Sequence, residues 1–119
     1  MPSVAIIGAS RERAKYGNRA VRAYLRQGWT VYPVNPNEAE VEGLRTFARI
    51  SDVPGPVDRA SLYVPPEIGL GLLAGIKNKG VLELFVNPGA ESDDLVGEAE
   101  RLGLKAILAC SIVEIGERP

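Results

Sequence analysis

The stretch that decides the predicted fold is Val4-Ala5-Ile6-Ile7-Gly8-Ala9-Ser10-Arg11, near the start of the chain. Its first four residues form an unbroken apolar run, which is typical of a strand buried on both faces of a parallel sheet. Gly8 ends this strand, and a polar loop follows before an amphipathic helix begins near Asn18. The stretch therefore predicts a strand-loop-helix unit whose loop lies at the carboxyl end of the strand, where ligands bind in α/β proteins.

The rest of the chain repeats this alternation. We predict five strands and three helices, with the strands at residues 4–7, 29–34, 60–64, 81–86 and 104–109. The helices are expected at 18–27, at 67–79 and from an N-cap at Ser92 through 102. Residues 38–58 are irregular, with one helical turn expected at 46–51, and they are expected to cross the sheet edge. We find no hairpin dipeptide and no internal repeat. The prediction is a three-layer, doubly wound (Rossmann-like) α/β fold with a five-stranded parallel sheet, in a single domain spanning residues 1–119.

The helix predicted at 67–79 contains three glycines, Gly69, Gly71 and Gly75. Each costs about 1 kcal/mol of helix propensity relative to alanine. We therefore expect close packing on the sheet to supply the stability of this helix.

Composition excludes several classes of function. The chain has 119 residues, no histidine, one cysteine, and 14 basic against 15 acidic residues. A net charge of −1 argues against nonspecific binding to nucleic acid or membranes, and no run approaches the roughly 20 apolar residues of a membrane span. Without histidine there is no Ser/His or Cys/His nucleophile pair, and most transition-metal sites are excluded. We expect a cytoplasmic protein with no metal site and no catalytic residue, although enzymatic activity is left open.

The first loop carries the clearest binding signal. Gly8-Ala9-Ser10 takes the place of a phosphate-binding turn, but the full Gly-x-Gly-x-x-Gly pattern is absent. Between Arg11 and Arg22 there are five basic residues and a single acid, Glu12, a local charge of +4. Because this charge lies beside a helix N-terminus, the loop is expected to bind an anionic, phosphate-bearing ligand.

The residues at the end of the second strand indicate which nucleotides the site could bind. NAD-binding folds usually place an acid there to hold the ribose hydroxyls. Here the strand ends in Val34-Asn35-Pro36, and the first acid is Glu38. The sequence disfavours NAD, while NADP and coenzyme A (CoA), which carry an extra ribose phosphate, stay open.

Four motifs in the same order resemble the small stand-alone CoA-binding proteins, which are similar to the CoA-binding domain of the succinyl-CoA synthetase alpha subunit. The motifs are Gly8-Ala9-Ser10 with Lys15-Tyr16-Gly17-Asn18, then Val31-Tyr32-Pro33-Val34-Asn35-Pro36, Val64-Pro65-Pro66-Glu67, and Pro88-Gly89-Ala90-Glu91-Ser92. The resemblance covers nearly the whole chain. The synthetases use a phosphohistidine in a second domain, and this chain has no histidine, so the ligase chemistry is not carried over.

The resemblance implies which residues bind CoA. Gly8, Ala9, Ser10 and Arg11 would meet the phosphates, and the motif of Lys15, Tyr16, Gly17 and Asn18 would close the loop. Val34, Asn35 and Pro36 would flank the adenosine, Val64, Pro65 and Pro66 would line the path of the adenine and the pantetheine, and Pro88, Gly89 and Ala90 would complete the groove.

Two side chains have competing interpretations. Cys110 follows the last strand, where its thiol could exchange with CoA disulfides, but a free cysteine is more often a small buried apolar group. Tyr16 lies in the loop and has less reason to be buried than the strand aromatics Trp29 and Tyr32, which we expect in the core.

The predicted function is non-catalytic binding of CoA, or of an acyl-CoA, at the carboxyl ends of the strands. Two alternatives are an NAD(P)-binding redox-sensing or oxidoreductase domain and a detached subunit of an acyl-CoA ligase. The expected partners are the nucleotide ligand and, beyond it, a second copy of the chain or an acyl-CoA enzyme.

Overall fold

Strands and helices alternate along the chain in the computed structural model, which describes residues 2–119. The elements are β1 (Ser3–Ile7), α1 (Tyr16–Arg26), β2 (Thr30–Val34), β3 (Glu40–Val41), β4 (Leu44–Arg45), a 3₁₀ turn (Ile50–Asp52), β5 (Arg59–Leu62), α2 (Pro66–Asn78), β6 (Glu83–Val86), α3 (Asp93–Arg101), β7 (Ala106–Leu108) and α4 (Ser111–Glu114). No helix in this part of the chain is long and apolar enough to cross a membrane.

Five parallel strands form the central sheet, in the order β2-β1-β5-β6-β7. Each neighbouring pair runs parallel. The chain steps outward from β1 to β2 and then returns past β1 to β5, so the direction of winding reverses between β1 and β5. In open α/β sheets this reversal leaves a crevice beyond the carboxyl ends of the strands. The predicted doubly wound fold with five parallel strands is confirmed.

Helices cover both faces of the sheet. Val4 and Ile6 point to one face and belong to the core formed with α1 and α4, whereas Ala5 and Ile7 point to the other and belong to the core formed with α2 and α3. All four side chains are buried. This explains why β1 is apolar from Val4 to Ile7, since a strand covered on both sides favours apolar residues at every position.

The segment between β2 and β5 differs from the prediction. β3 and β4 pair in antiparallel fashion to form a small hairpin, and its turn residues Glu42 and Gly43 have φ angles of 51° and 78°. Positive φ at both positions is typical of a type I′ turn, which strongly favours Asn-Gly or Asp-Gly. The dipeptide Glu42-Gly43 therefore did not predict a hairpin. The helical turn predicted at 46–51 lies later in the chain, because Phe47 is extended and bridges to Val34, the last residue of β2. The 3₁₀ turn begins only at Ile50.

Close packing accounts for one of the three glycines in α2. A Cβ at Gly69 would lie 3.0 Å from Leu95 Cδ1, so this position faces the α3 side at close range. A Cβ at Gly71 would meet nothing within 4 Å, and one at Gly75 would meet only Ile50 Cγ2, at 3.8 Å. The expectation from the sequence is therefore correct for Gly69 and does not explain the other two.

A buried arginine occupies the amino-terminal end of the sheet, opposite the strand ends that form the crevice. Arg59 is 5% exposed and forms ion pairs with Glu83 at 2.9 Å and with Glu114 at 2.6 Å. Its guanidinium also lies 4.8 Å from the ring centroid of Trp29 and 4.4 Å from that of Phe85. This cluster joins β5, β6 and α4, which gives Glu114 and Trp29 structural roles.

Candidate functional site

Two glycines allow the loop after β1 to lie close to its surroundings. Gly8 has a φ of 97°, and a Cβ there would be 3.0 Å from the carbonyl carbon and oxygen of Tyr63. A Cβ at Gly17 would be only 2.2 Å from the carbonyl oxygen of Gly8. Any larger residue at Gly17 would push the first turn of α1 away from the loop. The predicted closing of the loop by this motif thus depends on a direct backbone contact.

Two asparagines hold the loop from opposite sides. Asn18 is fully buried, and its Nδ2 donates to the carbonyl oxygen of Ser10 at 2.8 Å and to Glu42 Oε2 at 3.0 Å. Asn35, just after β2, donates from Nδ2 to the carbonyl oxygen of Ala9 at 2.8 Å. Because each amide satisfies a loop carbonyl, the backbone of residues 9–10 is fixed before any ligand arrives.

The basic loop is less positive in three dimensions than in the sequence. Arg11 pairs with Glu38 at 3.1 Å, and the backbone N–H of Arg11 donates to the same carboxylate at 2.7 Å. Arg13 lies 3.5 Å from Glu42, and Lys15 lies 3.0 Å from Glu12.

Glu38 and Glu42 come from the segment after β2, and counting them lowers the local charge from +4 to +2. The cationic side chains of these pairs are 63–76% exposed. The Lys15–Glu12 pair is exposed on both sides and is worth at most about 1 kcal/mol. Glu38 and Glu42 are only 16% and 23% exposed, but the cations of all three pairs reach solvent and are accessible to an anionic ligand.

A groove of two adjoining lobes lies beyond the carboxyl ends of β1, β2 and β5. The polar lobe, about 660 Å³, is lined by Gly8, Ser10, Arg11, Glu12, Lys15, Asn35, Asn37, Glu38, Tyr63, Val64 and Pro65. The apolar lobe, about 730 Å³, is lined by Ile7, Gly8, Val34, Asn35, Pro36, Asn37, Ala48, Arg49, Ile50, Ser51, Val64, Ile68, Gly71, Leu72 and Gly75. The lobes share Gly8, Asn35, Asn37 and Val64 in their walls, so they adjoin each other.

Tyr63 lines the polar lobe, and its side chain packs against the core on the α1 side. Burial raises the pKa of this phenol to about 12, and its oxygen lies 3.2 Å from Ser111 Oγ. The phenol is therefore neutral at physiological pH and can donate or accept a hydrogen bond. Ser111 Oγ in turn lies 2.7 Å from Ser61 Oγ, so the hydroxyl belongs to a buried polar network behind the groove.

The structure places about half of the predicted site residues on the groove wall. These are Gly8, Ser10, Arg11, Lys15, Val34, Asn35, Pro36, Val64 and Pro65. Ala9, Gly17 and Asn18 are buried behind the loop, and Tyr16 is 57% exposed at the start of α1, with Arg19 stacked over its ring at 5.2 Å. Pro66 begins α2 without lining either lobe.

The loop after β6 lies apart from both lobes. Pro88 and Gly89 are exposed and Ala90 is buried, and none of the three lines the groove. Asn87, just before them, donates to Ser61 Oγ and to the carbonyl oxygen of Leu62, and it accepts from the backbone N–H of Ser111. This loop is tied to the end of β5 and to the start of α4.

Sequence reasoning missed the wall of the apolar lobe formed by the 3₁₀ region and α2. The missed residues are Ala48, Arg49, Ile50, Ser51, Ile68, Gly71, Leu72 and Gly75. Those on α2 share one helical face, a signal that the spacing does contain. Residues 48–51 lie in an irregular segment, and no local pattern indicates where it folds. Arg49 is the one charged residue of this lobe among the residues described.

Two other candidate chemistries are a reactive thiol at Cys110 and a metal site. Cys110 is partly buried, is not in a disulfide, and packs against the core on the α1 side. Within residues 2–119, no group of three or more Cys, Asp and Glu side chains could hold a metal ion.

Comparison with known proteins gives one family. The family model described as a CoA binding domain matches residues 2–116. The alpha subunit of the ADP-forming acetate–CoA ligase II from Pyrococcus furiosus is 30% identical over 115 residues, which cover 87% of this chain and 25% of that protein. The chain spans between 11% and 25% of the length of the curated relatives it matches.

Two solved structures illustrate the similarity. A conserved hypothetical protein from Pyrococcus furiosus is 35% identical with a TM-score of 0.87, and the match covers 96% of this chain and 99% of that one. The dinucleotide-forming acetyl-coenzyme A synthetase 1 of Ca. Korarchaeum cryptofilum, solved with phosphate and ADP, is 31% identical with a TM-score of 0.79. That match covers 91% of this chain and 25% of the synthetase.

Proposed function

Since the chain belongs to the CoA-binding domain family, we propose that it binds CoA or an acyl-CoA in the two-lobed groove, without catalysing a reaction of its own. The observation that carries the location is the division of the groove into a polar lobe and an apolar lobe joined at Gly8 and Asn35. CoA is divided in the same way, because its diphosphate is strongly anionic whereas its adenine ring has apolar faces.

The diphosphate lies in the polar lobe in this proposal. Ser10, Arg11 and Lys15 line that lobe, and the side chains of Arg11 and Lys15 reach solvent in their ion pairs with Glu38 and Glu12. A phosphate offers each cation a stronger, charge-assisted partner than those carboxylates do. Gly17 and Asn18 act indirectly by fixing the loop, and Tyr16 covers the start of α1.

The adenosine lies in the apolar lobe, against Val34, Asn35 and Pro36. The pantetheine leaves along Val64 and Pro65, since these residues lead from the shared part of the groove to its polar end. Contacts with Pro66 and with residues 88–90 require the ligand to extend beyond the two lobes. Arg49 is placed to meet the ribose 3′-phosphate, because it is the cation on the wall of the adenosine lobe.

The proposal that the chain binds its ligand without catalysis rests on which side chains could act as a base or a nucleophile. The chain has no histidine, and the hydroxyl of Tyr63 has a pKa of about 12, far from the value that suits a general base near neutral pH. Glu12 and Glu38 are engaged with Lys15 and Arg11. The groove is suited to holding a nucleotide and contains no evident nucleophile–base pair.

Calorimetric titration tests this function. We expect saturable binding of CoA, weaker binding of 3′-dephospho-CoA, and weaker binding still of NAD and NADP. Absence of CoA binding at millimolar concentration contradicts the proposal, and tighter binding of NADP than of CoA favours an NAD(P) domain instead. The variant Arg11→Gln with Lys15→Gln is expected to weaken CoA binding, whereas Arg101→Gln, on the outside of α3, serves as the matched control.

A second candidate function is that of a detached subunit of an acyl-CoA ligase. It is favoured by the relative described as an alpha subunit, in which the matching region is 25% of the protein. Isolation of the tagged chain from its native cell would recover a larger catalytic chain in this case. Recovery of the chain alone, or as a homo-oligomer, contradicts it.

A further inference from the structure

One face of α2 is directed at the apolar lobe. Ile68, Gly71, Leu72 and Gly75 all line this lobe, and their spacing places them on the same side of the helix. Large side chains therefore alternate along this face with positions that have no side chain. We call the two empty positions, Gly71 and Gly75, the glycine notch.

Packing within the protein does not account for the glycine notch. A Cβ at Gly71 would have open space around it, and one at Gly75 would make only an ordinary contact of 3.8 Å with Ile50. Neither residue has a positive φ. Alanine would fit both positions and would favour the helix, because glycine is the poorer helix former. Gly69 in the same helix is different, since a Cβ there would lie 3.0 Å from Leu95 Cδ1 and that side chain would have to shift.

We propose that the glycine notch is a specificity-determining feature that keeps the apolar lobe open for the adenosine half of the ligand. This inference rests on the proposed binding of CoA. The rest of the lobe is apolar at Val34, Val64 and Ile50, which suits the flat faces of a purine. The notch removes side-chain bulk beside them, so the ring lies against the helix surface. The diphosphate is better served by the polar lobe, which has Arg11 and Lys15 on its wall, than by this lobe, where Arg49 is the one cation.

Alanine variants test whether the fold itself requires glycine at these two positions. Gly71→Ala and Gly75→Ala are expected to raise the midpoint of thermal unfolding by about 4 °C each, as a gain in helix propensity predicts for a domain of this size. Gly97→Ala in α3 is the matched control, since Gly97 is also an interior helical glycine with nothing within 4 Å of a Cβ and does not line the groove. A fall in the midpoint for either notch variant would show that the fold requires glycine there and overturns the proposal.

Ligand binding is measured on Gly71→Leu, Gly75→Leu and Gly97→Leu, since leucine favours the helix and fills the space. Titration uses CoA and adenosine 3′,5′-bisphosphate, a fragment without pantetheine. Both notch variants are expected to lose roughly tenfold or more in affinity for both ligands, comparable to the cost of one misfitted apolar group, whereas Gly97→Leu binds like the unmodified chain.

The outcomes distinguish the proposed function from this inference. Equal CoA affinity in the notch variants and the unmodified chain overturns the inference while CoA binding stands. Loss of affinity for CoA but not for the bisphosphate assigns the notch to the pantetheine and overturns its assignment to adenosine. If the unmodified chain does not bind CoA, the proposed function and the inference fail together.

Discussion

At the scale of single residues, the site depends as much on missing side chains as on those present. Gly8 and Gly17 let two backbone segments touch, and the buried amide of Asn18 secures the result. The positive charges of the groove are at Arg11, at Lys15 and, on the apolar side, at Arg49. The individual residues thus divide into those that shape the loop and those that face the ligand.

Gly17→Ala tests the shaping role. A methyl group 2.2 Å from the carbonyl oxygen of Gly8 must displace either the loop or the first turn of α1, so we expect a loss of about 2 kcal/mol or more in the free energy of unfolding. Urea denaturation measures this change. Gly97→Ala is the control and should not destabilise the protein. An unchanged urea midpoint for Gly17→Ala would falsify the role given to this contact.

Arg49→Gln tests the recognition of the ribose 3′-phosphate. Arg49 is largely exposed and has only a loose ion pair with Asp52, at 3.6 Å. An exposed charge pair is worth up to about 1 kcal/mol, so CoA affinity should fall by up to about fivefold while the affinity for 3′-dephospho-CoA is unchanged. Calorimetry on both ligands measures the difference. An equal loss for the two would assign Arg49 to another part of the nucleotide.

At the scale of elements, capping hydrogen bonds, turns and contacts with neighbouring elements determine where the helices and strands begin and end. Ser92 was predicted as the N-cap of α3, and its Oγ accepts a hydrogen bond from the backbone N–H of Leu95 at 3.1 Å, which confirms the prediction. Strands β5, β6 and β7 are shorter than predicted, because their ends leave the sheet for the turns and the groove. The helix α4 has no counterpart in the prediction, and its Glu114 is joined to β5 through Arg59.

Arg59→Met tests how far that cluster stabilises the contact of α4 with the sheet. The change removes two ion pairs and two cation–π contacts while preserving apolar bulk, and both carboxylates can still reach water because Glu83 and Glu114 are 39% and 45% exposed. We expect a loss of about 2 kcal/mol in the free energy of unfolding. Arg101→Met, which removes an exposed pair with Glu98, should change it by less than about 0.5 kcal/mol. Similar small effects in both variants would contradict a special role for Arg59.

At the scale of the whole molecule, the sheet, its helices and the groove form one unit. The groove draws its walls from the loop after β1, the end of β2, the 3₁₀ region, the end of β5 and one face of α2. These parts are distant in the sequence and meet only in the native state. A ligand held by all of them can bind the folded chain and not the unfolded one.

Ligand-induced stabilisation follows from that arrangement. At a CoA concentration 100 times the dissociation constant, the free energy of unfolding should rise by about 2.7 kcal/mol. Thermal unfolding at a series of CoA concentrations measures the rise, with NAD at the same concentrations as the control. A midpoint that does not depend on CoA concentration above the measured dissociation constant is incompatible with binding confined to the native state.

The sequence by itself determined the order of the five sheet strands and of α1, α2 and α3 along the chain, the parallel sheet, the N-cap Ser92 and the motifs of the first loop, because these are expressed in local spacing and in residue type. It did not determine the hairpin of β3 and β4, the wall of the apolar lobe or the charge of the basic loop. These depend on how an irregular segment folds against β2 and α2, which brings Glu38 to Arg11 and Glu42 to Arg13. Contacts between distant segments leave no periodic trace in the chain, so only the tertiary structure decided them.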